Sequence, residues 1–183
     1  MTPDSFLTAR LRCDRLTRDH LPELRRMDQN AEMMATVGGI RTAQQTVAYL
    51  DFNLTHWADH GFGVWIAREL GTDAIVGRTI LRYLRLEDKN EIEVGYGLYP
   101  AYWGRGLATE MAGACVQMGF TLPAVQSLIG LTLPTNQASR RVLEKVGFGY
   151  EGAASYEGLS WMVYRAERPT PKATARQSDR PVP

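Results

Sequence analysis

The residues with the clearest chemical potential stand together in Tyr99-Pro100-Ala101-Tyr102-Trp103-Gly104-Arg105-Gly106-Leu107-Ala108-Thr109-Glu110. This stretch follows an apolar run with strand character and precedes a pattern of helical period. A Gly-x-Gly turn that opens a helix leaves backbone N–H groups unpaired. Those groups, with the helix dipole, favour a bound phosphate. Gly104 to Thr109 is therefore a candidate seat for a phosphate-bearing ligand, the plainer reading being an ordinary strand-to-helix turn. Other phosphate motifs fit poorly. A P-loop needs G-x-x-x-x-G-K-[ST], and the chain has no Gly-Lys pair. A dinucleotide fingerprint needs G-x-G-x-x-G after the first strand. Here Thr109 takes the place of the third glycine, and the turn falls in mid-chain.

Two further groups could do chemistry. In the strand before the turn, period-two alternation puts Glu91, Glu93, Gly95 and Gly97 on one face and Ile92, Val94, Tyr96 and Leu98 on the other. Glycine in a strand often marks close approach by a ligand or another backbone. Further on, Asn136 and Ser139 open a helical pattern, where both side chains can satisfy backbone groups.

The elements that must position these residues follow from periodicity. Ala9 to Leu16 alternates as a half-buried strand does. Thr17 or Asp19 can cap a helix carrying Leu21, Leu24 and Met27, and a second helix is predicted from Thr42 to Trp57. Gly63 to Arg68 and Ala74 to Tyr83 read as a hairpin across Gly71-Thr72-Asp73, and Lys89 to Leu98 as the next strand. Leu107, Met111, Cys115 and Met118 mark a helix, Val125 to Leu133 a strand, and Asn136 to Val146 a helix stopped by Gly147. Phe148 to Arg165 reads as two short strands around Glu157-Gly158. This order predicts one α/β domain over residues 1–168, built on a single mixed sheet. Residues 169–183 are rich in proline and poor in apolar side chains, as a disordered tail is.

Composition narrows the class. The chain has 183 residues, 44% hydrophobic and 22% charged, and these are ordinary globular values. Lys+Arg 21 against Asp+Glu 20 gives a net charge of +1, which argues against a nucleic-acid binder that relies on bulk positive charge. Two cysteines, Cys13 and Cys115, make neither a disulfide framework nor a metal cluster. His20, His56 and His60 lack ligand spacing and read as surface residues. No signal peptide and no run of roughly 18 apolar residues is visible. The expectation is a cytoplasmic protein with no metal and no membrane partner.

Four segments, in order, resemble the GNAT N-acetyltransferases. They are Thr8 to Arg12 with Leu16-Thr17; Phe62-Gly63-Val64-Trp65 with Ile75-Val76-Gly77; Glu93 to Glu110; and Asn136 to Phe148. The similarity extends over about residues 8–168 and is strongest to the branch of ribosomal-protein N-terminal (alanine/serine) acetyltransferases. The family pattern Gln/Arg-x-x-Gly-x-Gly/Ala maps onto Trp103, Gly106 and Ala108, so Trp103 departs from the general rule but is usual in that branch. The resemblance implies a mostly antiparallel twisted sheet flanked by helices, with splayed central strands. It implies acetyl-coenzyme A as co-substrate. Gly104, Arg105, Gly106, Leu107, Ala108 and Thr109 would hold its pyrophosphate, with Trp103 beside them. Arg105 would add charge at a phosphate, or is a solvated cation. Tyr96, Gly97 and Leu98 would pair with the pantetheine arm, and Asn136 and Ser139 would lie near its amides and sulfur.

By the same resemblance Glu93 is the general base, with Glu91 as the same-face substitute, and Leu98 or a neighbour supplies the N–H that polarises the thioester carbonyl. Many relatives carry a tyrosine where this chain has Leu143, which leaves the general acid to Ser139 or another hydroxyl. The acceptor would enter between residues 19–60 and the hairpin around residues 149–160. Asp28, Glu32, Asp51 and Asp59 could bind a cationic amine but read more simply as solvated helix carboxylates, and Ser160 stands where relatives often carry an acid, against a ribosomal-protein substrate. The predicted activity is direct transfer of an acetyl group to a primary amine, on a protein N-terminus or a small molecule. A non-catalytic acyl-coenzyme A-binding scaffold and a nucleotide-binding domain are the alternatives. A homodimer is compatible with this reading.

Overall fold

The structure is a computed structural model that describes residues 2–170. A short strand β1 (Ser5–Leu7) pairs with β2 (Leu11–Arg15), and the chain then runs through α1 (Leu21–Gln29), α2 (Ala31–Ala35) and α3 (Ala43–His60). Strands β3 (Val64–Glu69), β4 (Ile75–Leu86) and β5 (Lys89–Leu98) follow as an antiparallel meander. Helix α4 (Leu107–Thr121), strand β6 (Ser127–Thr132), helix α5 (Gln137–Lys145) and the hairpin β7 (Gly149–Tyr156) and β8 (Leu159–Glu167) complete the domain. One eight-stranded sheet has the order β1-β2-β3-β4-β5-β6-β8-β7. All its pairs are antiparallel except β5 with β6. The predicted mixed, mostly antiparallel α/β fold is the one observed.

Local chemistry explains the boundaries. Thr42 caps α3 through a reciprocal box with Gln45, and Gly61 ends it in the left-handed region at φ 72°. Asn136 caps α5 by accepting from the Ser139 N–H at 3.0 Å. Glu157 and Gly158, at φ 49° and 77°, form the tight turn between β7 and β8.

Alternation along the strands divides the core. Val64 and Ile66 of β3 pack with Leu24, Met27, Met33 and Leu50 from α1–α3, whereas Trp65 and Ala67 join the larger cluster that contains Met111, Cys115 and Leu143 of α4 and α5. The sheet is thus covered on both faces, by α1–α3 and by α4–α5.

Several expectations need correction. The sequence pattern missed β1 and α2, which are too short to show a period. The closing hairpin is not short, with strands of 8 and 9 residues. His56 is buried rather than on the surface: the Tyr83 N–H donates to its Nε2 at 2.9 Å, so its Nδ1 donates to the Phe62 carbonyl at 2.8 Å. Asp28 is fully buried and ion-paired rather than solvated. Arg168 stands outside the strands but caps the α4 end, donating to the carbonyls of Phe120, Leu122 and Val125. Most of the expected tail, residues 171–183, lies outside the described residues.

Candidate active site

The functional region begins where the sheet opens. Strand β5 pairs with β6 in register only at Glu93 opposite Ile129. Beyond Glu93 the two strands part. On its other side β5 stays paired with β4 as far as Gly77 opposite Leu98. The backbones there are so close that a Cβ at Gly77 would stand 2.0 Å from the Gly97 carbonyl oxygen, so only glycine fits. The Tyr99 N–H donates to the Val76 carbonyl of β4, and the Leu98 carbonyl turns away from β4 to accept from Trp103 Nε1 at 2.8 Å. Backbone groups alternate sides along a strand. The N–H groups of Tyr96 and Leu98 therefore point into the gap.

The turn at the end of β5 supplies the second feature. Gly104 and Gly106 take left-handed φ values of 72° and 78°, which delivers the chain into α4. No side chain caps α4, so the N–H groups of its first turn, Leu107 to Thr109, keep no intrahelical partner. The turn is braced from outside. Arg10 donates through Nη1 to the Arg105 carbonyl, and Glu110 binds Arg10 and the Thr8 hydroxyl. Burial opposes the Glu110 charge, but those bonds hold its carboxyl below the usual range. Sequence reasoning passed over Arg10 and Glu110, because a brace between distant segments leaves no local period.

One cavity of about 420 Å³ joins the gap and the turn. Tyr96, Gly97, Leu98 and Trp103 line it, as do Gly104, Gly106 and the first turn of α4. Asn136 and Ser139 line it from α5. Arg105 does not line it: its guanidinium pairs with Glu69 and lies over the Tyr102 ring. Tyr96 Oη donates to the Ser139 carbonyl at 2.9 Å and stands 3.0 Å from Ser139 Oγ. Burial pushes the Tyr96 phenol well above its ordinary value, and the Ser139 hydrogen bond works against that shift. Leu143 is buried in the same cavity wall, with its methyls against Gly130 of β6.

The two candidate carboxylates separate. Glu91 makes a two-pronged pair with Arg165 at 2.9 and 3.0 Å and lies outside the cavity lining. Glu93 lines the cavity, and its Oε2 accepts from Arg82 Nε at 2.8 Å. No described residue takes up Oε1, which lies on the side of Gly95. Burial works against the Arg82 charge, but Glu93 and the phenols of Tyr49 and Tyr156 outweigh it, so the guanidinium stays charged beyond its ordinary range.

A splayed central pair beside an uncapped, glycine-delivered helix matches a known family. The sequence model for the acetyltransferase (GNAT) domain covers residues 10–149. The chain belongs to the GNAT acetyltransferase family. The Bacillus subtilis protein YkkB is 30% identical over 141 residues, 77% of this chain and 81% of YkkB. In fold, the chain resembles an acetyltransferase from Agrobacterium tumefaciens strain C58 (TM-score 0.79, 24% identity, 91% of this chain and 96% of that one). It also resembles RimL, a ribosomal alpha-N-protein acetyltransferase solved in complex with coenzyme A (TM-score 0.70, 16% identity, 88% and 96%). The GNAT assignment makes the protein an acetyl-coenzyme A-dependent N-acetyltransferase. The open gap, with its inward N–H groups and the free helix start, fits that co-substrate.

The cavity continues past Glu93 to a wall whose arginines sequence reasoning did not single out. Arg41, Tyr49, Arg78 and Arg82 form it, and Met33, Thr36, Val37, Tyr156, Glu157 and Trp161 line the same cavity. Asp28 underlies this wall and binds Arg41 and Arg78, both at 3.0 Å. One sequence signal was available: Leu24, Met27 and Asp28 share the apolar face of α1 by i, i+3, i+4 spacing. A carboxylate on such a face must find a cation. Among the described residues, no group of three or more His, Cys, Asp or Glu is gathered to hold a metal ion, and no helix is long and apolar enough to cross a membrane.

Proposed function

We propose that the protein transfers an acetyl group directly from acetyl-coenzyme A to a primary amine, with both substrates bound together. The observation that carries this reading is the gap beyond Glu93. It presents the Tyr96 and Leu98 N–H groups from one strand, a hydroxyl pair from α5 and β5, and a carboxylate oxygen with no partner among the described residues.

Acetyl-coenzyme A supplies an activated thioester. In this reading Leu107, Ala108 and Thr109 hold the pyrophosphate through their N–H groups, flanked by Gly104, Gly106 and Trp103. Tyr96 and Leu98 pair with the pantetheine arm through their backbone as an added strand would, Gly97 between them stays paired with β4, and Asn136 stands beside the arm. Arg105 reaches a phosphate only by leaving Glu69. An N–H of β5 donates to the carbonyl oxygen on which charge develops. Glu93 Oε1 takes the amine proton, directly or through a water, as the C–N bond forms and the C–S bond breaks. The Ser139 hydroxyl, 3.0 Å from Tyr96 Oη, donates a hydrogen bond to the departing sulfur, which leaves as the coenzyme A thiolate and takes its proton from water. A covalent acetyl-cysteine route has little support. Cys13 and Cys115 have no exposure, burial raises both thiols, and that of Cys115 is pushed up to about 12.

Initial-rate kinetics test the proposal. Thiol release measured against both substrates should give intersecting double-reciprocal lines. Parallel lines would mean a covalent acetyl-enzyme and would overturn direct transfer. Thermal unfolding with acetyl-coenzyme A, ATP and NAD in parallel should show a raised midpoint with acetyl-coenzyme A alone.

A further inference from the structure

The wall beyond Glu93 is built to receive an anion. Three guanidinium groups line it, those of Arg41, Arg78 and Arg82, against two carboxylates within reach, Asp28 and Glu93. Arg41 and Arg78 share one oxygen, Asp28 Oδ1, and Asp28 Oδ2 is taken by the Thr46 hydroxyl at 2.9 Å. The neighbouring carboxylate, Glu23, is committed to Arg26 and the Tyr99 hydroxyl, and Glu157, which also lines the cavity, is exposed, so water screens its charge. The wall thus keeps an excess positive charge.

Its donors are under-used. Arg78 is 4% exposed, yet among the described residues its guanidinium hydrogen-bonds only Asp28 and, at 3.9 Å, the Met34 sulfur. Among the described residues Arg82 spends only Nε, on Glu93. Tyr49 provides an independent sign. Its ring lies 4.7 Å from Arg41 and 4.9 Å from Arg78, and its buried hydroxyl has no hydrogen-bond partner among the described residues. A buried excess cation and an orphan hydroxyl are both costly unless a ligand completes them. The oxygens of a carboxylate suit a fork of arginine donors.

Position ties this wall to the transfer. Arg78, Ile80 and Arg82 share one face of β4 and stand opposite Gly97, Gly95 and Glu93 of β5. A ligand anchored at Arg78 and Arg41 therefore lies along the row of residues that ends at Glu93. The cavity of about 420 Å³ must also hold the acetyl end of the co-substrate, which leaves room for a small acceptor rather than a folded protein terminus.

We propose that the acceptor is a small primary amine that carries an oxyanion, a carboxylate in the first instance, with the anion bound by Arg78, Arg41 and Tyr49 and the amine presented to Glu93. This rests on the transferase reading above. The amine proton passes to Glu93 and the anion is unchanged by the reaction.

The test is thiol release by the full chain with matched acceptors. The set comprises ω-amino acids from glycine to 6-aminohexanoate, their methyl esters, 2-aminoethylphosphonate, and short peptides with free N-termini. One or more amino acids should exceed their esters in kcat/KM by at least about tenfold, the scale of a charge-assisted contact. The phosphonate arm distinguishes a carboxylate from a phosphoryl anion. Arg41→Met leaves Asp28 paired with Arg78 and should raise KM for the amino acid by a much larger factor than for its ester; Arg78→Lys is the second variant. Parity between acids and esters, or turnover of peptides alone, overturns the proposal while the transferase reading stands. If no amine is turned over, calorimetry of the coenzyme A-saturated protein with N-acetylglycine and N-acetylglycinamide decides. Binding of the acid alone, lost in Arg41→Met, upholds the anion seat and removes the transferase reading; binding of neither removes the anion seat too.

Discussion

Asp28→Asn tests the charge architecture of the arginine-lined cavity wall. Asp28 has no exposure, and its carboxylate accepts from Arg41, Arg78 and Thr46. The amide keeps the shape and removes the charge, so two guanidinium groups then face one another across a neutral side chain. Removing one partner of a buried ion pair costs about 3–5 kcal/mol. Arg41 is a quarter exposed in its side chain and recovers part of this through water, so the lower end, about 3 kcal/mol, is expected. In a chain of this length each kcal/mol moves the unfolding midpoint by about 2–4 °C, which gives a fall of roughly 6–12 °C. The assay is thermal unfolding of wild type and variant at neutral pH, read by circular dichroism and calorimetry. A second substitution serves as the internal control: Arg41→Met should cost much less in the Asp28→Asn background than alone, because it then relieves repulsion instead of removing attraction. A fall below about 2 °C would refute the reasoning, since the carboxylate would then not be compensating buried charge.

The remaining predictions concern the reaction and acid stability. Glu93→Gln should lower kcat by about a hundredfold or more with coenzyme A affinity nearly unchanged; an unaltered rate across the pH profile would remove Glu93 as base. Gly106→Trp should abolish coenzyme A binding by filling the turn with side chain in a left-handed backbone position. Micromolar affinity in a variant with native circular dichroism would move the phosphate site elsewhere. His56 is held neutral because burial lowers its affinity for a proton, partly offset by its bond to the Phe62 carbonyl. The unfolded chain binds that proton below about pH 6.5 while the native protein does not, so this contribution to stability is complete above that pH and is lost as pH falls. Unfolding free energies of His56→Gln should show a shallower loss below about pH 6.5 than wild type, and parallel curves would count against the assignment.

Much of the architecture was legible because periodicity and capping are local. The 3.6-residue pattern of Leu107, Met111 and Cys115, the cap at Thr42 and the turn at Glu157-Gly158 act within a few residues, so sequence alone located them. The Gly104-Arg105-Gly106 turn and the shared face of Glu93, Gly95 and Gly97 were legible for the same reason. The exact ends were less so: α3 runs to His60, three residues beyond the predicted Trp57, and β6 starts at Ser127 rather than Val125.

What the chain alone determined is the glycine-delivered helix start, the strand that leads to it, and the sheet-and-helix order that resembles the GNAT family. Each rests on backbone conformation and on spacing between near neighbours. Tertiary structure alone decided which carboxylate faces the cavity. Glu91 and Glu93 are two residues apart on the same face, but Arg165 arrives from β8 to occupy one, while Arg82 leaves an oxygen of the other free. It also decided that Arg41 and Arg78, distant from Asp28 in sequence, meet over it and line the cavity wall. Charges of this kind are placed by packing between elements. The energy that fixes them depends on burial, which no local pattern records.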